Sequence, residues 1–228
     1  MQRHPHGFSL VELITVIAIL ALVAALGIPS LLPARISANE TAAIATLRTL
    51  STAQAQFQQR TLVDGNGDGS GEYGSFTELS GAGAGRMAAA LVPTHLSGAF
   101  RGVSADAAGR GAVNKSGYWY RIWLPAPSRD GTCEDALGAF TVAPDAQLAA
   151  AAWCAYAWPA SYQQSGNRTF FVNQSGEILA TELAAFDGLE NGPAADVAFS
   201  VAHDVVSAPA VNGTGQLPAT APPWRQAR

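Results

Sequence analysis

Lysine is almost missing from this 228-residue chain: Lys115 stands alone beside twelve arginines, and charged residues of all kinds make up only 13%. The formal net charge is −4. With no basic cluster to follow a phosphate backbone, nucleic acid is excluded as a partner. Histidine is scarce as well, and two of the four, His4 and His6, lie in the first seven residues. The other two, His95 and His203, are far apart and show no triad, zinc-binding or nucleophile-elbow spacing. The acids are scattered, so no catalytic constellation stands out and no enzyme is expected. The apolar fraction, 48%, suffices for one globular core once the N-terminal segment is set aside.

Charge is also lacking over residues 13–32, a run of 20 apolar or uncharged residues. At 1.5 Å per residue it is long enough to cross about 30 Å of hydrocarbon. The order of its flanks is not that of a secretory signal, which places a small-residue cleavage site after the apolar stretch. Here the polar leader MQRHPHG precedes a Gly-Phe junction, and no A-x-A site follows the run. Arg3 ahead of the span favours a cytoplasmic N-terminus.

The string GFSLVELITVIAIL resembles the class III leader and N-terminal helix of type IV pilins and of the pseudopilins of type II secretion. The resemblance covers about residues 3 to 60. It implies that a prepilin peptidase cuts after Gly7, that Phe8 becomes the methylated first residue, and that the apolar helix is retained to pack subunits into a filament. Glu12 is then the fifth residue of the mature chain.

A lone carboxylate in such a helix needs a partner, since an ionised side chain at mid-membrane costs about 2.5–3.5 kcal/mol on insertion scales. Cleavage would supply one: the new α-amine of Phe8, with a reference pKa of about 7.7–8.0, stays charged when methylated. Two placements remain open. Glu12 pairs with the Phe8 amine of a neighbouring subunit, rewarding axial stagger, or it caps its own helix one turn from that amine.

Gly27, Pro29 and Pro33 predict a kink or a melted stretch. Beyond them, residues 35–60 resume a helical period, with Ile36, Ile44, Leu47, Leu50 and Phe57 on one face and Arg35, Glu40, Arg48 and Gln58 on others. The segment LVDGNGDGSGEYG follows. Asp64, Asn66, Asp68 and Gly69 match the opening of a D-x-[DN]-x-[DN]-G calcium loop. The twelfth position is Ser75 where an EF-hand has Glu, so Glu72 or Glu78 would have to supply the further carboxylate. The same residues also form turns without any metal.

The head is expected to be α+β: a long N-terminal helix, membrane-spanning then amphipathic, packed on an antiparallel β-sheet. GRMAAALVP suggests a short helix ending in a turn at Pro93. In GYWYRIWLP the alternation of Tyr118, Tyr120, Ile122 and Leu124 with Trp119, Arg121 and Trp123 predicts a strand. GAFTVAP, AAWCAYAWP, RTFFVNQ and EILATEL predict more, and NQSG predicts a hairpin between the last two. The run AWPASYQQSGNRTFFVNQSGEI also resembles domains of unknown function in exported bacterial proteins, through Pro-x-x-Tyr and Phe-x-Val-Asn-x-x-Gly. Its aromatic residues are expected in the core.

The organisation expected is therefore a leader at 1–7, an assembly helix at 8–34, an amphipathic helix at 35–60, a head at 61–206 and a flexible Pro/Ala/Gly-rich tail at 207–228. The resemblance implies a single-pass inner-membrane subunit with a cytoplasmic N-terminus and a periplasmic head. Its implied partners are prepilin peptidase, other pilin-like subunits and a secretion or pilus assembly machinery. A type II secretion pseudopilus is the first expectation, because the early Asp/Gly loop and LVPTHL, which is similar to the segment after the long helix in major pseudopilins, look closer to that branch. A type IV pilus is the second, and a membrane-anchored, calcium-dependent binding module using the aromatic sheet is the third. Outside the cytoplasm Cys133 and Cys154 are expected to form a disulfide, the alternative being two buried thiols.

Overall fold

The computed structural model describes residues 7–227, the side chains of 24–30 excepted. The expected leader 1–7 falls almost wholly outside the described residues. Ser9 opens the chain's longest element, helix α1 (Leu10–Gln59), 50 residues and about 75 Å long. Its start is a capping box: the Ser9 hydroxyl accepts from Glu12 N, and the Glu12 carboxylate accepts from Ser9 N. The helix runs on through Gly27, Pro29 and Pro33. The expected melted stretch is not formed. Among the described residues, no helix is long and apolar enough to cross a membrane; the run read from the sequence includes 24–30.

After α1 come helix α2 (Phe76–Ser80), strands β1 (Val103–Ala105), β2 (Gly111–Lys115), β3 (Tyr118–Pro125) and β4 (Gly131–Thr132), helix α3 (Ala146–Ala151), and strands β5 (Cys154–Pro159), β6 (Thr169–Asn173), β7 (Ile178–Thr181) and β8 (Arg225–Gln226). Every strand pairing is antiparallel, in the order β1-β2-β3-β5-β6-β7-β8, with β4 against the far end of β3. The fold is α+β, a long helix laid on an antiparallel sheet. The β6–β7 hairpin turns at the NQSG segment: Asn173 Oδ1 accepts from Ser175, and Gly176 takes the positive φ of +74° that closes the turn. The β2–β3 hairpin has φ > 0 at both Ser116 and Gly117, as a type I′ turn requires.

The sheet is buried on both faces because its strands alternate between two cores. Tyr118, Tyr120, Ile122, Phe170 and Val172 pack under α1, against Ala43, Leu47, Leu50 and Phe57. Trp123, Tyr156, Trp158, Phe171 and Leu179 point the other way, into a second core. That outer core is roofed by the C-terminal segment, through Val197, Phe199, Val205, Leu217 and Trp224.

Four expectations are corrected. Residues 85–93 form turns, with no short helix; the helix of this region is α2, and its Ser75-x-x-Glu78 capping box was readable. GAFTVAP is not a strand; a single bridge, Glu134 to Phe140, marks it. The tail at 207–228, expected to be flexible, is ordered where described, because Trp224 is fully buried and β8 pairs with β7. Glu40 and Gln58, expected on faces other than that of Leu47, Leu50 and Phe57, both meet the head.

Candidate functional site

The candidate site is α1 itself, because one helix has two unlike halves. Around residues 7–9 the chain is not yet helical and is exposed, so the Gly7–Phe8 bond is open to a protease. Phe8 is 85% exposed, and from Leu10 to Val23 the large apolar side chains project on every side with no partner among the described residues. Glu12 is the acid of this half. Its carboxylate accepts the Ser9 amide at 3.0 Å, so in the free chain it caps its own helix. Thr15 turns its hydroxyl back on the Glu12 carbonyl and leaves no polar stripe.

The second half is clamped to the head by apolar packing and by polar contacts at intervals along the helix. Asn39 donates to the Ser165 carbonyl, and Glu40 accepts from Asn167 N and from Arg168 Nε at 2.7 Å. Higher up, Lys115 Nζ donates to Thr46 Oγ1, Gln54 both donates to and accepts from the Gly74 backbone, and Gln58 reaches the Ala150 carbonyl. At about 100° per residue, positions 39, 40, 46, 54 and 58 fall on the same side of the helix as Leu47, Leu50 and Phe57.

The Asp/Gly loop closes on itself. Asp64 accepts from the amides of Gly67, Asp68 and Gly69; Asp68 accepts from Ser70 N and Asn66 Nδ2. The Ser70 amide and the Asn66 amide hold the Asp68 carboxyl below its usual range. Glu72 does not join them: it accepts from Gly65 N and forms an ion pair with Arg86 at 2.5 Å. Arg86 also grips Glu78 through two nitrogens and donates to the Tyr73 carbonyl. Among the described residues no three His, Cys, Asp or Glu side chains are grouped to hold a cation. In this conformation Glu72 is committed to an arginine and does not join Asp64, Asn66 and Asp68 as a donor.

Cys133 and Cys154 are both free thiols. The register explains why the expected bridge is not made. Trp123 pairs with Cys154 on one side, while Leu124 pairs with Thr132 on the other, so β3 lies between the two cysteines. Two strand spacings are about 10 Å, beyond the roughly 7 Å Cα limit for a disulfide. Burial pushes the Cys133 thiol up to about 11 and the Cys154 thiol well above its ordinary value, so neither is reactive.

The sequence reading did not find a buried arginine. Arg121, fully buried on β3, bonds Asp106 at 2.9 Å and the Gly111 and Arg110 carbonyls, with its guanidinium over the Trp123 and Trp158 rings. Its only signal was an arginine at an apolar-alternating strand position. The histidines stay apart: His95 packs edge-on to Phe57, its pKa lowered by burial and then by Arg60, and His203 meets Asp130 at the surface. Nor is the aromatic sheet a binding surface, since Tyr156, Trp158, Phe170 and Phe171 are fully buried.

The family described as "Protein of unknown function (DUF2950)" matches residues 23–187, more than half of the chain. The chain belongs to the DUF2950 family. A second family, "Prokaryotic N-terminal methylation motif", matches residues 2–28, so this DUF2950 head is carried on a type IV pilin-like N-terminus. The chain is also similar to the type IV wide pilus major component PilA4 of Thermus thermophilus, 43% identical over 65 residues. That match covers 28% of this chain and 47% of the relative, so the chain spans about half the length of the curated relative it matches. No solved structure matches. The family match ends at residue 187, while the segment roofing the outer core continues to Trp224.

Proposed function

We propose that this DUF2950 protein is a structural subunit of a type IV pilus. Prepilin peptidase cuts between Gly7 and Phe8, the Phe8 nitrogen is methylated, and the mature subunit waits in the inner membrane with its head in the periplasm. Other pilin-like subunits and an assembly machinery then take it into a filament. Its work is packing and not catalysis. The observation that carries this reading is the uncovered apolar half of α1, which has one acid, Glu12, one turn from the future N-terminus.

In the filament Glu12 exchanges partners. The capping bond to Ser9 serves the free chain, and the charged Phe8 amine of a neighbouring subunit replaces it. At about 4 Å and an effective dielectric near 20, one such pair contributes roughly 4 kcal/mol before desolvation. The similarity to a type IV wide pilus major component supports a pilus. A type II secretion pseudopilus is the second reading, supported by the similarity of LVPTHL to major pseudopilins.

The test is the intact mass of membrane-extracted protein from strains with and without prepilin peptidase. A chain beginning at Phe8 and carrying one methyl, present only with the peptidase, is the expected result. A full-length chain in both strains would overturn the reading.

A further inference from the structure

Two hollows open where the lower end of the head meets α1. The smaller, about 310 Å³, is walled on the helix side by Leu32, Pro33, Ile36, Ser37 and Glu40. The larger, about 740 Å³, lies between the end of β7 and residues 222–226. Arg168 and Glu182 line both, so the hollows adjoin. Arg225 stands in the larger one.

Their height along α1 follows from the helix rise. Leu32 is the last residue of the apolar run, and Ser37 stands about 7.5 Å beyond it. The polar layer on each side of a bilayer is about 5–8 Å thick, half the difference between about 30 Å of hydrocarbon and about 40–45 Å overall. With the apolar run in the membrane, the smaller hollow is level with the headgroups.

The charges there are mixed. Arg168 spends its Nε on Glu40 and lies over the Phe170 ring, while its terminal nitrogens have no hydrogen bond among the described residues. Arg225 is exposed and makes no ion pair among the described residues. Glu182, exposed and lining both hollows, carries the opposite sign, as does Glu40 in the smaller one. Of the two cations and two carboxylates, Glu40 already pairs with Arg168 through Nε, which leaves the terminal nitrogens of Arg168, together with Arg225 and Glu182, above an apolar floor; they suit a ligand with a phosphate and an ammonium group on a short tether, while a purely anionic ligand would meet Glu40 and Glu182 as like charges.

We infer that the double hollow seats the phosphoethanolamine headgroup of a phospholipid in the membrane from which α1 emerges. Arg168 and Arg225 take the phosphate, and Glu182 takes the ammonium. This inference rests on the membrane anchoring proposed above. It gives the head a fixed orientation over the bilayer, and the lipid must be released when a subunit leaves for the filament.

The experiment uses the full chain in nanodiscs with identical acyl chains, headed by phosphoethanolamine or by phosphocholine. Hydrogen exchange is followed at residues 180–182 and 224–226, and a photo-crosslinker is placed at Gln226. Slower exchange in the phosphoethanolamine discs and a lipid crosslink are expected. Arg225→Gln and Glu182→Gln, both at exposed positions, should each abolish the protection without lowering Tm. Equal exchange in the two lipids, or protection that survives both substitutions, would overturn the headgroup site, as would a crosslink to a second copy of the chain. A chain that fails to enter either disc would overturn the anchoring itself, a failure seen before any exchange is measured.

Discussion

The two halves of α1 are continuous in backbone and opposite in fate. Between residues 40 and 57 the buried positions recur every three or four residues, because this half has one partner, the sheet, and needs one apolar face. Between Phe8 and Val23, eleven large apolar side chains are exposed and no face is distinguished. Leaving them in water would cost on the order of 20 kcal/mol, more than the roughly 5–15 kcal/mol that stabilises a typical domain. A helix hydrophobic all round has its partners outside its own chain. The lower half is thus built for lipid or for other subunits, and the upper half belongs to the head.

The largest effect expected along that division falls on the one acid of the lower half. Glu12→Ala should leave the head folded and Gly7–Phe8 cleaved, while filament-incorporated subunit drops by more than about tenfold, as loss of a pair worth about 4 kcal/mol before desolvation allows. Intact mass reads the cleavage, and the sedimentable filament fraction reads the incorporation. Normal incorporation would leave Glu12 as a helix cap and nothing more.

Next in size is a substitution in the upper half. Phe57→Ala should destabilise the head by about 3–5 kcal/mol, since the ring is fully buried between α1 and Gly74. Ile17→Ala in the lower half should leave head stability unchanged. Denaturant unfolding of both variants measures the difference, and equal losses would mean that the halves are not independent.

The outer core has its own sensitive point. Burial alone would raise the Asp106 pKa, but the Arg110 amide and the charges of Arg121 and Arg110 outweigh it and hold the carboxyl below its usual value. A lowered folded-state pKa contributes stability that is fully present above the unfolded value, about 3.9, and is lost as pH falls through the folded value. Thermal unfolding should therefore show an acid limb below about pH 4. Asp106→Asn should remove this contribution to the limb and cost about 3 kcal/mol at neutral pH, by leaving Arg121 buried with its charge unpaired. An unchanged acid limb in the variant would assign it to other carboxylates, among which Glu134 has the opposite sign, its pKa being raised by burial.

What could be read from the sequence follows the range of the interactions involved. The alternation in GYWYRIWLP, the NQSG hairpin and the period of Leu47, Leu50 and Phe57 are set by neighbours a few residues away, and they predicted β3, β6–β7 and the docked helix face. Glu40 was misplaced because its partner, Arg168, is 128 residues distant. The tail was misread for the same reason: its composition suits a flexible segment, but Trp224 finds Tyr156 and Phe171 across the sheet. In the candidate site, Gly7, Phe8 and Glu12 were singled out by the pilin-like motif, which is a matter of local order along the chain. The Asp/Gly loop showed ligand types but not the arginine that engages Glu72.

The smallest effect tests the register of the outer core through the cysteines. A bridge between Cys133 and Cys154 would constrain the unfolded chain, and removing it would cost about 2–5 kcal/mol. With β3 between them, each thiol is only a small apolar group in the outer core. Cys133→Ala should therefore cost no more than about 1 kcal/mol, the scale of one small group lost from a half-buried site. Both cysteines of the wild-type chain should react with alkylating agent after denaturation without reductant, and Cys133, its thiol pushed up to about 11, should react slowly in the native state. A loss of several kcal/mol, or thiols that stay blocked until reduced, would mean that β3 does not separate them and that the register of the outer core is wrong at its centre.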